Sequence, residues 1–152
     1  MLVLAAAVSD FYLPEAQLPS HKIQSGAVEA EGISSPACTT SPTGELVLRL
    51  TPTPKALRAL SLSWCPGCMV VSFKLETDES LLMKKAQAAL DGTGVSCVVA
   101  NLLHSRHTEV RLLPREGPLL VLRAAEGESG GLEGQLARAL VALHAQRDTK
   151  RV

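Results

Sequence analysis

Few side chains in this 152-residue sequence are spaced for chemistry. The most conspicuous set is Trp64-Cys65-Pro66-Gly67-Cys68. In a redox centre, the first thiol of such a pair opens a helix, whose positive end lowers the thiol pKa. Here the pair follows a helical pattern and runs straight into the apolar stretch 69–73, and Pro-Gly between a helix and a strand is ordinary turn chemistry. A structural turn is therefore expected. His104 and His107 could face one side of a metal ion, but no third and fourth ligand stands at useful spacing, so no metal site is predicted. Neither of the two common glycine-rich phosphate loops occurs, nor a G-x-S-x-G elbow.

The remaining candidates sit where apolar runs end: Ala6-Ala7-Val8-Ser9-Asp10, Ser72-Phe73-Lys74-Leu75-Glu76-Thr77-Asp78, and Val98-Val99-Ala100-Asn101. Small residues at a strand end let backbone approach a ligand, to which Asp10 and Asn101 would add a carboxylate and an amide. Both residue types equally favour turns and caps, and the residues alone leave the two readings open. Lys22, in His21-Lys22-Ile23-Gln24-Ser25, reads either as a lid cation brought to a phosphate or as a solvated surface lysine.

These candidates need elements to position them. Hydrophobic residues make up 46% of the chain, ample for one core, and exclude disorder of the whole. Fifteen Lys and Arg balance 15 Asp and Glu, and aromatics are 3%, which argues against a nucleic-acid binder. Four scattered cysteines do not make a disulfide scaffold, no run reaches the length of a membrane span, and the opening residues lack the cationic start of a signal peptide. A reduced, cytosolic location is expected.

Residues 2–8, 69–73 and 97–100 are continuous apolar runs, as in strands buried on both faces of a parallel sheet. Residues 45–50 alternate like a half-buried strand, and 109–113 with 119–122 read as a hairpin. Helices are expected from Thr53-Pro54 to Leu60, from Thr77-Asp78 to a stop at Gly92, and over 132–146. The stretch 26–44, rich in Ser, Thr, Ala and Gly, reads as a long, disordered loop. The expected architecture is an α/β, three-layer, Rossmann-like fold with a mainly parallel sheet and a long flexible loop after the first strand. It would form a single domain over 1–147, with a tail at 148–152. A chain that opens inside a buried strand suggests that an N-terminal part is missing.

Taken in order, Ala5-Ala6-Ala7-Val8-Ser9-Asp10-Phe11-Tyr12, His21-Lys22-Ile23-Gln24-Ser25, SFKLETD at 72–78 and Val98-Val99-Ala100-Asn101-Leu102-Leu103 resemble phosphopantothenate–cysteine ligase of the eukaryotic, stand-alone type, over its C-terminal portion. That resemblance implies an enzyme of coenzyme A biosynthesis joining 4′-phosphopantothenate to L-cysteine through an acyl-nucleotide, with ATP and Mg2+, as a homodimer without nucleic acid or membrane partners. It implies that Ala6, Ala7 and Asp10 line the substrate cleft, that Phe73 and Asn101 contact the nucleotide, and that Lys22 is the catalytic lid cation. The alternative is a non-catalytic, truncated form that pairs with the full-length enzyme.

Overall fold

The computed structural model describes residues 1–5, 8–21, 35–41, 43–124 and 130–149. Along the chain run β1 (Leu2–Leu4), β2 (Phe11–Tyr12), β3 (Cys38–Thr40), β4 (Leu46–Leu48), β5 (Thr51–Pro52), α1 (Leu57–Ala59), β6 (Val70–Glu76), α2 (Glu79–Thr93), β7 (Cys97–Leu102), β8 (Glu109–Pro114), β9 (Leu120–Arg123) and α3 (Gly131–Thr149). The chain divides into two compact units, Met1–Ala6 with Ala56–Val152, and Ala7–Lys55.

The first unit is a five-stranded mixed sheet in the order β1-β6-β7-β8-β9. β1, β6 and β7 are joined by parallel ladders, then β8 and β9 add antiparallel ones. Strand alternation sorts the apolar side chains into two cores. Met69, Val71, Cys97, Val99, Val110 and Leu112 pack on one face against Leu132 and Leu140 of α3. Val70, Val98, Ala100 and Leu102 pack on the other against Leu82, Ala86 and Leu90 of α2. Helices on both faces make the three layers that continuous apolar strands require.

Helix ends follow local chemistry. Asp78 caps α2, accepting from the Ser80 amide at 2.8 Å. α2 ends at Gly94, φ 76°, rather than at the expected Gly92. Gly94 adopts the left-handed turn favoured after a helix, and Gly92 stays helical. The carbonyls of its last turn then receive side chains: Arg58 reaches Gly92, Ser61 reaches Thr93 and Arg115 reaches Leu90.

β1 departs from expectation. It covers three residues, Leu2–Leu4, rather than the whole run at 2–8, and Val8 is 80% exposed. Its partner on one side is β6, and no described strand pairs its other side.

The Ala7–Lys55 unit consists of two short antiparallel ladders, β2 with β5 and β3 with β4. β3 falls inside the stretch read as a disordered loop. Ala37 and Cys38 are buried, and Cys38, Thr39 and Thr40 pair with Leu48, Val47 and Leu46. Pairing with a partner strand outweighs the poor strand composition of the flanking Pro, Ser and Gly.

Candidate functional site

β6 and β7 run parallel, so their carboxyl ends open on the same edge of the sheet, where open α/β folds bind ligands. Phe73 pairs with Val99 and Leu75 with Asn101. Alternation puts Phe73, Val99 and Asn101 on one face, that of α3. The Phe73 ring is half-buried against the Leu112–Leu132 core, and Asn101 is half-buried one step further along β7. The structure thus brings together two of the candidates read from the sequence, a ring that can stack on a flat group and an amide that can both donate and accept.

On the opposite face of β6, the charges of the SFKLETD segment bond to one another. Glu76, its side chain 10% exposed, accepts from Lys85 of α2 at 2.7 Å and from Lys74 at 3.0 Å. The hydrogen bond from Lys85, then that from Lys74, holds the Glu76 carboxyl below its ordinary range. Beside it Arg111 bridges Glu79 at 2.7 Å and Glu109 at 3.0 Å, and Arg123 adds a second bond to Glu109 at 2.9 Å. Hydrogen bonds from Arg111 and then Arg123 keep Glu109 low as well. These two networks tie the first two turns of α2, through Glu79 and Lys85, to the strand ends. The sequence marks Lys74 and Glu76 within a candidate segment but not their partner Lys85, nor the Glu79–Arg111–Glu109–Arg123 network. Their signal was present in the charges at alternate positions 74 and 76 and at 109 and 111, which share a face of each strand.

Asp10 lies in the Ala7–Lys55 unit, where its carboxylate is paired with Lys55 and its carbonyl accepts from the Thr53 amide at 2.9 Å. Ala6, Ala7 and Lys22 fall outside the described residues.

The dithiol behaves as a turn. The helical turn at 60–64 ends at Cys65, the Cys68 amide donates to the Cys65 carbonyl at 3.0 Å, and β6 follows. Both thiols are free. Burial pushes the Cys97 thiol up to about 11, so it stays protonated and inert. His104 and His107 are exposed in the turn between β7 and β8, and among the described residues no three His, Cys, Asp or Glu gather as metal ligands. No described helix is long and apolar enough to cross a membrane. The chemistry offered by the described residues at the strand ends is therefore binding and orientation, with no nucleophile or shifted base beside Phe73 and Asn101.

Sequence comparison finds phosphopantothenate–cysteine ligases. The Saccharomyces cerevisiae ligase Cab2 is 47% identical over 113 residues, 72% of this chain and 31% of its own length. The Arabidopsis thaliana ligase 1 is 39% identical, over 95% of this chain and 40% of its own length. The Homo sapiens ligase is 35% identical, over 88% of this chain and 38% of its own. A solved histidine-to-alanine variant of Cab2 in complex with phosphopantothenate-cysteine superposes with a TM-score of 0.82 at 37% identity, over 96% of this chain and 44% of that one. A Streptococcus pneumoniae DNA/pantothenate metabolism flavoprotein, 23% identical with a TM-score of 0.52, shares the fold. No family model matches. The chain spans 31–40% of the length of the curated relatives it matches, and over that span it is related in sequence and in fold to phosphopantothenate–cysteine ligases.

Proposed function

We propose that this relative of the phosphopantothenate–cysteine ligases supplies part of the nucleotide and substrate site of such an enzyme, acting in coenzyme A biosynthesis in the cytosol as a homodimer. In that reaction a carboxylate oxygen of 4′-phosphopantothenate attacks ATP, forming an acyl-nucleotide and releasing pyrophosphate. The amine of L-cysteine then attacks the acyl carbon, forms the amide, loses a proton and releases the nucleotide.

Phe73 offers its ring to the base, and Asn101 orients the nucleotide from the neighbouring strand. The resemblance assigns contact with phosphopantothenate to Ala6, Ala7 and Asp10. Lys22 closes as a lid cation over the phosphate and excludes water from the hydrolysable intermediate. Mg2+ belongs to the same reading, since a metal neutralises triphosphate charge. Among the described residues no three His, Cys, Asp or Glu gather as ligands.

The single observation that carries this reading is the placement of Phe73, midway along β6, and Asn101, next to last in β7, on one face of neighbouring parallel strands. The test is a titration of the isotope-labelled chain with ATP, followed by amide NMR. Shifts should concentrate at 73–78 and 101–103. Phe73→Ala should weaken binding about 5–100-fold, as loss of a base-stacking ring does. Shifts elsewhere, or none at millimolar ATP, would sink the reading. In a ligase assembly that turns over, Lys22→Ala should slow pyrophosphate release about 10²–10³-fold while substrate binding changes little.

A further inference from the structure

At the other end of the sheet, the amino ends of β6 and β7 border a cleft lined by Met69, Ser96, Arg115, Leu143, Gln146 and Arg147, with Glu116 at its side. Met69 precedes Phe73 by four residues, so this cleft lies about 13 Å from Phe73 along β6.

Its two guanidiniums come from different elements, Arg115 just after β8 and Arg147 from the last turns of α3. Each is held by neutral partners. Arg115 donates to the carbonyls of Leu90 and of Val95, the latter at 3.1 Å. Arg147 donates through Nη1 to the Cys68 carbonyl at 3.0 Å and to Ser96 Oγ at 2.8 Å. A guanidinium carries five N–H groups, so about three on each remain after these bonds. The carbonyls fix both groups without neutralising them, and among the described residues the cleft lining sets one carboxylate, Glu116, against two fixed positive charges. Met69, Pro114 and Leu143 supply an apolar wall beside them.

We propose that this cleft binds a small phosphomonoester, its phosphate between Arg115 and Arg147 and its organic part on the apolar wall. Guanidiniums suit phosphate because their forked donors match two oxygens at once. Ser96 Oγ, already accepting from Arg147, keeps its own hydrogen to donate to a phosphate oxygen. Both arginines are already immobilised, so binding costs little side-chain ordering.

The test is an amide and arginine Nε NMR titration of the whole chain with phenyl phosphate, with inorganic phosphate, and with sodium chloride at matched ionic strength. Phenyl phosphate should give saturable shifts centred on Ser96, Arg115 and Arg147, at least three-fold tighter than inorganic phosphate. Arg147→Gln should abolish them. Because Arg147 also ties α3 to the turn at Cys68, Gln146→Glu provides a second variant at an exposed helix position. It adds a negative charge to the cleft and should weaken phenyl phosphate about ten-fold without altering the spectrum of the core. The proposal is overturned if shifts match those with sodium chloride, if inorganic phosphate binds as well as its phenyl ester, if Gln146→Glu leaves affinity unchanged, or if shifts centre on Phe73 and Asn101.

Discussion

The two units of this chain use apolar residues in opposite ways. In the Met1–Ala6 and Ala56–Val152 unit, Leu82, Leu112, Val71, Val98 and Val99 are fully buried, and each face of the sheet has its own core. In the Ala7–Lys55 unit, Ala37 and Cys38 are the apolar residues described as buried, while Phe11, Tyr12, Leu46, Val47, Leu48 and Leu50 are between 40% and 51% exposed. Two-stranded ladders have little surface to pack against and are marginal alone. Apolar strands of the second unit stay half-exposed because no helix among the described residues packs on their ladders, whereas α2 and α3 cover the sheet of the first.

The largest effect should come from core truncation. Leu112→Ala should destabilise the chain by about 2–5 kcal/mol, since it removes buried methyls and leaves a cavity. Leu48→Ala, at a half-exposed position of β4, should change stability by no more than about 0.5 kcal/mol. Urea unfolding followed by circular dichroism measures both. Comparable losses at the two sites would erase the contrast, because they would require Leu48 to be packed as tightly as Leu112.

Glycine replacement sharpens the same contrast at the backbone. Gly94 after α2 and Gly44 before β4 both have positive φ, 76° and 86°. Alanine at either should lose about 1–2 kcal/mol to the left-handed conformation. At Gly94 an added Cβ would also sit 2.5 Å from Leu62 Cδ2, whereas nothing lies within 4 Å at Gly44. Leu62 is half-exposed and can swing aside, so the excess for Gly94→Ala should stay at or below about 1 kcal/mol. Thermal unfolding of the two variants gives the difference, and a larger loss at Gly44 would reverse the ranking.

The units also differ in how far the sequence discloses them. The apolar runs at 69–73 and 97–100, the Asp78 cap and the leucine stripe of the last helix are local signals, and each corresponds to an observed element. So does the Cys65–Cys68 turn, because Pro-Gly chemistry acts over four residues. β3 was missed because pairing between 38–40 and 46–48 belongs to no single stretch of chain. β1 is shorter than its apolar run, Leu2–Leu4 against 2–8, and length within a run is not a local signal. At the candidate site, Phe73 and Asn101 could be placed by the ends of their runs, but their common face depends on the register of β6 with β7, which no local pattern encodes. The Glu76 bridge to Lys85 spans nine residues from strand to helix and needs the packed structure to appear.

The smallest effect compares ion pairs. Asp10 and Lys55 in the Ala7–Lys55 unit are 72% and 75% exposed, so water and salt screen them, and Lys55→Ala should change stability by a few tenths of a kcal/mol at most. Glu76 is 10% exposed and takes two lysines. Its folded-state pKa lies below its unfolded one, chiefly through the Lys85 hydrogen bond, so its contribution is fully present above the ordinary carboxylate range. That contribution fades as pH falls through this range toward the folded value. Glu76→Gln should therefore cost on the order of 0.5 kcal/mol at pH 7 and progressively less toward pH 3, flattening the acid limb of stability against pH. The limb should persist in part, because Glu109 is held low by Arg111 and Arg123 and still protonates. Urea midpoints taken from pH 7 to pH 3 resolve this. Parallel curves for wild type and Glu76→Gln would mean that the lysines release Glu76 in solution, and the strand-end network would then hold α2 no better than the exposed Asp10–Lys55 pair holds its own ladder.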